Sequence, residues 1–227
     1  YMGELVDESV DPNNFQDGTV VIIFDDGTVM EAVLGGDSSS ILGFAYPFTD
    51  GGDAYYFDAV IVLNGTLIDE DPYISTVLHE LGHVFGLDHT ANVPQVDVPS
   101  EYSTMFSYNY SDEQGSLHAD DEASISVLYP EDSFSETWGA LTGVVQDEFG
   151  VPQFGVAVIA YDYDTGYPVT STLTGFPLNF SNEFSVTSLG GYLLPVPAGR
   201  ILLKTQCGFW GGEGVIDEAG GSGIGSA

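Results

Sequence analysis

The chain has 227 residues, enough for one large domain or two small ones, and its 35 acidic and two basic residues give a formal net charge of −33. Arg200 and Lys204 are its only fixed cations, so residues 1–199 carry none. Such a surface repels phosphate backbones and anionic lipid, which argues against nucleic-acid or membrane partners and favours cations or basic peptides. Solubility in salty surroundings explains the same composition without any specific site.

Four apolar, β-rich runs predict strands in the first part of the chain. They cover residues 20–24, 28–34, 41–48 and 59–65. Asp25, Asp26 and Gly27 have the chemistry of a hairpin turn between the first two runs. The first run, VVIIF, shows no alternation of polar and apolar residues, which is typical of a strand covered on both faces.

The stretch DEDPYISTVLHELGHVFG predicts a helix. Asp71 offers an N-cap before Pro72 at the first helical position, and Gly86 offers a place for the helix to end. Apolar residues recur at helical spacing and predict the core-facing stripe: Ile74, Val77, Leu78, Leu81 and Phe85. His79 and His83 fall outside this stripe and point together, one turn apart.

A second helix is predicted over LHADDEASISVLYP, and the sequence then changes in character. Asp120, Asp121 and Glu122 lie in the first turn of this helix, where the helix dipole favours negative charge, and Pro130 ends it. After residues 131–137 come short strands separated by turns at 147–150 and 164–166, which predict an all-β domain. Residues 211–227 are rich in glycine and predict a linker or frayed end.

Three of the four histidines lie in HELGHVFGLDH, which fits H-E-x-x-H-x-x-G-x-x-H at every fixed position. The spacing lets His79 and His83 reach one zinc ion from a single helix face, and lets His89 complete the ligand set beyond Gly86. A fourth position is left for water, and Glu80 adjoins the first ligand, so it can accept a proton from that water. The pattern therefore predicts a hydrolytic zinc site. Surface or packed histidines are the alternative, as is a zinc site that has lost catalysis.

HELGHVFGLDH, followed by the methionine of STMFSY, resembles the metzincin metalloproteases, and the form GLDHT is most similar to the matrixin subgroup. The resemblance implies a mixed α/β domain over residues 1–132, with an active-site helix. It implies that Met105 forms an apolar floor under the metal, and that the protein is a secreted, extracellular zinc endopeptidase acting on proteins or peptides. The substrate is expected to lie antiparallel to an edge strand in residues 41–48.

The second predicted helix resembles the C-terminal helix of the matrixins. In that family, paired aspartates at its start brace the methionine turn and the mature N-terminus, and they correspond here to Asp120 and Asp121. The residues by themselves indicate only a solvated helix start. The loop of Asp50, Gly51, Gly52 and Asp53 is similar to a matrixin calcium site. Its carboxylate and carbonyl oxygens predict bound Ca²⁺, although turn chemistry alone explains its glycines about as well.

The chain departs from the matrixin pattern in three places. No histidine precedes His79, so a second, structural zinc has no imidazole ligands, and Tyr55 and Tyr56 stand about where one would be. The segment that precedes the first predicted strand, residues 1–18, is too short for the family's N-terminal strand and long helix. This predicts a truncated domain, whose activity by itself is in doubt. No inhibitory propeptide precedes Tyr1, as expected for a mature form or a fragment.

Residues 133–210 resemble the carboxypeptidase regulatory-like β-sandwich. The similarity lies in a D-x-x-G-x-P turn at 147–152, the strand VAVIA at 156–160 and the stretch YLLPVPAG at 192–199. It implies a non-catalytic accessory module, and a folded spacer is the alternative. For the whole chain, the competing hypothesis to a protease is a zinc-stabilised binding or adhesion module without turnover.

Overall fold

A computed structural model describes residues 19–26, 28–34, 38–49, 56–67, 73–91, 102–109, 112–175 and 189–207. They form both helices and strands, with strands predominating, as expected for a chain of mixed α and β content. The described residues up to Asp88 form one compact unit, and those from His89 onward form a second. The predicted domain limits at residues 132 and 210 stay predictions. Within the described residues, no helix has the length and apolar character that a membrane crossing requires.

The first unit contains a three-stranded sheet and two helices. Its elements are β1 (Val20–Asp25), α1 (Thr28–Leu34), β2 (Gly43–Thr49), β3 (Tyr56–Asn64) and α2 (Tyr73–Val84). The strand order is β1-β3-β2, with β1 parallel and β2 antiparallel to β3. Since β2 pairs only with β3, it forms one edge of the sheet within the described part of the chain.

The central strand β3 separates two hydrophobic clusters, because successive side chains of a strand point to opposite faces. Val60 and Val62 pack with residues that include Met30 of α1. Ile61 and Leu63 pack on the other face, against Val77, Leu81 and Val84 of α2. The sheet is therefore covered by α1 on one face and by α2 on the other.

The run at 28–34 is a helix, so the predicted strand and the predicted hairpin at 25–27 are wrong. The carboxylate of Asp25 accepts hydrogen bonds from the backbone N–H groups of Val29 and Met30, at 2.9 and 2.8 Å. These groups have no partner inside the helix, and a buried carboxylate satisfies them. Capping by Asp25 therefore stabilises a helix where strand propensity predicts an extended chain.

Coverage on both faces was expected for VVIIF, but it occurs in β3. Ala59 to Leu63 are all fully buried, whereas Val20 is 49% and Phe24 44% exposed. The cause is strand order: β3 is central, and β1 lies at an edge of the sheet that the described residues form. A continuous apolar run thus marks a strand, and its neighbours decide how deeply it is buried.

The core-facing stripe of α2 differs from the predicted one. Ile74 and Phe85, at the two ends of the predicted stripe, are 63% and 51% exposed. Val77 and Leu81 do face the sheet, and Val84 joins them. The predicted capping residues Asp71 and Pro72 lie outside the described residues.

The second unit contains two sheets and two helices among its described residues. Its elements are a short 3₁₀ turn (Asp112–Gly115), α3 (Ala119–Leu128), α4 (Phe134–Thr137), β4 (Trp138–Val144), β5 (Val156–Asp162), β6 (Pro168–Leu173), β7 (Gly191–Pro197) and β8 (Ile201–Cys207). One sheet pairs β4 with β7, and the other has the order β6-β5-β8. Val158 and Ala160 of β5 pack with Leu194 and Val196 of β7, so the two sheets share one hydrophobic cluster.

Local predictions in this unit are confirmed. The helix predicted at 117–130 is α3. The turns predicted at 147–150 and 164–166 contain Gly150 and Gly166, with φ of 79° and 77°. Asp147 and Asp162 stabilise these turns by accepting backbone N–H groups two to four residues ahead.

Candidate metal centre

Helix α2 brings His79 and His83 onto one face, because residues four apart in a helix are neighbours. Their Nε2 atoms are 3.2 Å apart, and their rings meet edge to face at 87°. His89 follows the end of the helix. Each of the three histidines offers one ring nitrogen, and these nitrogens all lie within 4.8 Å of one another. The cluster could therefore hold a metal ion.

The end of α2 is shaped by Gly86, which has the left-handed φ of 88° that glycine adopts without steric cost. The Gly86 N–H donates to the carbonyl of His83, and the Leu87 N–H donates to that of Gly82, both at 2.9 Å. This pair of bonds is a Schellman motif, which satisfies the last carbonyls of a helix and turns the chain away. The turn leads directly into the segment that carries His89.

The same turn fixes the tautomer of His83. Its Nδ1 lies 2.8 Å from the carbonyl oxygen of Leu87, and a carbonyl only accepts, so Nδ1 carries the proton and donates it. The lone pair of Nε2 is then available to a metal. Burial lowers the pKa of His83, opposed by the Leu87 hydrogen bond and the charge of Asp88. The side chain is thus held in the neutral form that metal ligation requires.

The spacing of His79 and His83 fits two ligands of a tetrahedral ion. Nitrogens at 2.0–2.1 Å from zinc are about 3.3–3.4 Å apart in tetrahedral geometry, close to the 3.2 Å between His79 and His83. Imidazole ligands suit zinc, copper, iron and nickel alike. The three donors could therefore hold a metal ion, and their chemistry does not select one of these metals.

Glu80 is a buried acid beside the first of these histidines, with only 4% of its surface exposed. Burial raises the pKa of its carboxyl group to about 8, opposed by a hydrogen bond from the backbone N–H of Ala45. Its Oε2 is buried without a hydrogen-bond partner among the described residues. A buried polar atom without a partner is costly, so this oxygen is suited to a water molecule or a cation.

Strand β2 holds Glu80 in place through Gly43, which the sequence reasoning did not identify. A methyl group at Gly43 would lie 3.1 Å from Oε1 of Glu80 and 3.0 Å from Cγ2 of Thr76. The helix therefore approaches the strand so closely that only glycine fits without displacement. A glycine inside a strand is the sequence signal for such an approach.

Met105 is buried, and both its backbone N–H and its backbone carbonyl are hydrogen-bonded. The carboxylate of Asp121 accepts the N–H groups of Thr104 and Met105, at 2.9 and 3.0 Å, and also that of His118 at 2.9 Å. The carbonyl of Met105 accepts the N–H of Thr90 at 2.9 Å. A backbone hydrogen bond thus joins the methionine turn to the residue that follows His89.

The solvated helix start expected for Asp120 and Asp121 is wrong, because they are only 7% and 2% exposed. Asp120 accepts the backbone N–H of Ser171 at 2.6 Å, and its other oxygen receives the hydroxyl of Thr90. Burial raises the pKa of Asp120 to about 6, opposed most by the Thr90 hydrogen bond. Sequence reasoning missed Thr90 and Ser171 because they are far apart in the chain.

The described residues thus contain a cluster of three histidines that could hold a metal ion, with a buried carboxyl group in the residue after the first of them. No family model, no curated protein and no solved structure matches the chain. The predicted calcium loop at 50–53 and Tyr55 lie outside the described residues.

Proposed function

We propose that the chain is a zinc-dependent endopeptidase of the metzincin kind, most similar to the matrixins, with His79, His83 and His89 as zinc ligands. The observation that carries the proposal is the clustering of three ring nitrogens within 4.8 Å, supplied by the pattern H-E-x-x-H-x-x-G-x-x-H. Glu80 supports it further, because a buried carboxyl group next to the first ligand is what hydrolysis requires.

Each residue has a defined role in this proposal. When bound, zinc supplies a Lewis acid that polarises a carbonyl and lowers the pKa of water to about 7. In its ionised form, which a cation at the three histidines would favour, Glu80 accepts the proton of the attacking water and delivers it to the leaving amine, and the oxygen that lacks a partner is available for this transfer. His83 is oriented for its role by its hydrogen bond to Leu87.

Strand β2 is proposed as the edge along which the substrate binds. It pairs on one side with β3, and an extended peptide adds to an exposed sheet edge through main-chain hydrogen bonds. This mode accepts unfolded proteins and peptides as substrates. The absence of fixed positive charge in residues 1–199 favours cationic segments among them.

The proposed domain organisation is a peptidase domain at residues 1–132 followed by a β-sandwich accessory domain at 133–210. The shared hydrophobic cluster of the two sheets supports a sandwich. Secretion is proposed because the resemblance is to secreted enzymes. The competing function is a zinc-stabilised binding module, which uses the same histidines without turnover. A retained, buried Glu80 favours the enzyme.

Two variants of one helix test the proposal. Glu80→Gln keeps the size of the side chain but removes the base, so zinc content should be unchanged while casein cleavage falls by about 10²- to 10⁴-fold. His83→Ala removes a ligand, so both zinc content and cleavage should fall. His118→Ala is the matched control, because His118 is the one histidine outside the motif.

Zinc content measured by elemental analysis, and chelator-sensitive cleavage of casein, distinguish the two functions. A parent chain that holds zinc yet cleaves no unfolded substrate would favour the binding module. A Glu80→Gln chain that cleaves as fast as the parent would remove Glu80 from the mechanism.

A further inference from the structure

Strand β6 is connected to the residue after the third histidine by a partly buried hydrogen-bond network. The network consists of Ser171 on β6, Asp120 at the start of α3, and Thr90. We infer that Asp120 and Ser171 are positioning residues for the metal site: anchored on β6, they fix Thr90 and, through it, His89. The inference rests on the proposed function, in which His89 is a zinc ligand.

The carboxyl group of Asp120 makes hydrogen bonds through both of its oxygens. Oδ1 accepts the Ser171 N–H at 2.6 Å, and Oδ2 lies 3.1 Å from the Ser171 hydroxyl and also receives the Thr90 hydroxyl. The hydroxyl groups of Thr90 and Ser171 are 3.1 Å apart, which closes the network. A network centred on a buried carboxyl group whose two oxygens both have partners favours one local geometry over others.

His89 needs such an anchor more than the other two histidines do. His79 and His83 are fixed by the backbone hydrogen bonds of α2, whereas His89 lies in a segment outside any helix or strand. Thr90 is held at two points, by its N–H to the Met105 carbonyl and by its hydroxyl to Asp120. Fixing the residue next to His89 restricts the backbone from which the His89 ring extends.

Through this network, residues 133–210 contribute to positioning the proposed third ligand. Ser171 belongs to that predicted domain, whereas Thr90 and Asp120 belong to the predicted peptidase region, yet all three lie within one compact unit. A spacer would make no such contact with the segment that follows the motif. The sandwich therefore acts as a support for the third ligand.

Zinc affinity of the full chain, measured by competition with a chromophoric chelator, tests the inference. Thr90→Val removes the hydroxyl at constant shape and should weaken zinc binding by about 10- to 100-fold, the usual effect of losing a partner outside the ligand shell. Thr90→Ser keeps the hydroxyl and should restore affinity. Ser171→Ala should weaken binding less, because its backbone N–H still reaches Asp120. The effects of Thr90→Val and Ser171→Ala should not add in the double variant.

Thr172→Val is the matched control, since it removes a hydroxyl from the next position of β6, which faces the opposite side of the strand. Equal zinc affinity of the parent, Thr90→Val and Ser171→Ala would overturn the inference while leaving the proposed function intact. An equal loss in Thr172→Val would also overturn it, because general weakening of β6 would then explain the result. Should Thr90→Val fail to fold, the zinc affinity of Ser171→Ala tests the inference by itself. A parent whose zinc binding does not depend on His83 would overturn the proposed function, and this inference with it.

Discussion

The side chain of Glu80 lies between helix α2 and the backbone of strand β2. Ala45 donates its N–H to the carboxyl group, and Gly43 leaves just enough space for it. Both residues belong to the strand along which we propose that the substrate binds. The position of Glu80, the proposed base, is thus determined by the same strand that is proposed to position the peptide.

Substitution of Gly43 by alanine should therefore slow catalysis without removing zinc. The added methyl would lie 3.0–3.2 Å from Thr76 and Glu80, so the Glu80 side chain must move by a few tenths of an ångström. Small misplacements of a catalytic group reduce rates strongly, and we expect kcat for casein to fall by roughly 10- to 100-fold. Gly139→Ala in β4 is the control, since its nearest neighbour is 3.9 Å away. Full activity of Gly43→Ala would contradict the positioning role.

Asp120 should make stability depend on pH in a defined window. Its pKa is raised by burial from the ordinary 3.8 to about 6, so between these values the folded chain binds a proton that the unfolded chain has lost. Its contribution is therefore fully present below about pH 4, falls as pH rises through about 6, and is then constant. The total loss is up to about 3 kcal/mol.

Asp120→Asn isolates this contribution from the other acids, because asparagine does not titrate. The difference in unfolding free energy between the variant and the parent, measured by urea titration in chelator, should shift in favour of the variant between pH 4 and pH 7. A difference that stays constant over this range would mean that Asp120 has an ordinary pKa.

Among the elements, the C-terminus of α2 links helix geometry to the metal site. Gly86 permits the turn that brings the Leu87 carbonyl to Nδ1 of His83. One backbone conformation thus ends the helix, orients the His83 ring and leads the chain toward His89, two of the proposed zinc ligands. A change at this glycine should affect metal binding as well as stability.

We expect Gly86→Ala to lower both stability and zinc affinity. A left-handed conformation costs a non-glycine residue about 1–2 kcal/mol, and relief of that strain would move the Leu87 carbonyl away from His83. Gly150→Ala is a matched control, because Gly150 also has positive φ, at 79°, and nothing lies within 4 Å of an added methyl. Both variants should melt at lower temperature, and only Gly86→Ala should bind zinc more weakly. Equal zinc affinity in the two variants would show that the turn at Gly86 does not influence metal binding.

For the whole molecule, the net charge of −33 dominates the electrostatics. Self-repulsion of this size destabilises the compact state, and salt screens it with a Debye length of about 10 Å at 0.1 M. The midpoint of urea unfolding should therefore rise from low salt to about 0.5 M. NaCl and KCl should act alike, because screening depends on ionic strength. Midpoints that stay flat or fall would show that the acidic surface is not a salt adaptation of this kind.

The amino-acid sequence by itself predicted those features that depend on residues close together in the chain. The spacing of His79, His83 and His89 predicted their clustering, because helix geometry and one glycine turn determine it. Helix α3 and the turns at Gly150 and Gly166 followed from capping, proline and turn chemistry. Each of these is governed by hydrogen bonds within a few residues.

Only the tertiary structure decided what depends on burial and on distant partners. Asp25 caps a helix where propensity alone predicted a strand, and the position of β3 between two other strands made it the buried one. Asp120 looks like a solvated acid until Ser171, 51 residues further along the chain, covers it. The physical reason is that burial and long-range hydrogen bonds are properties of the packed chain, whereas local patterns record only the conformations that neighbouring residues favour.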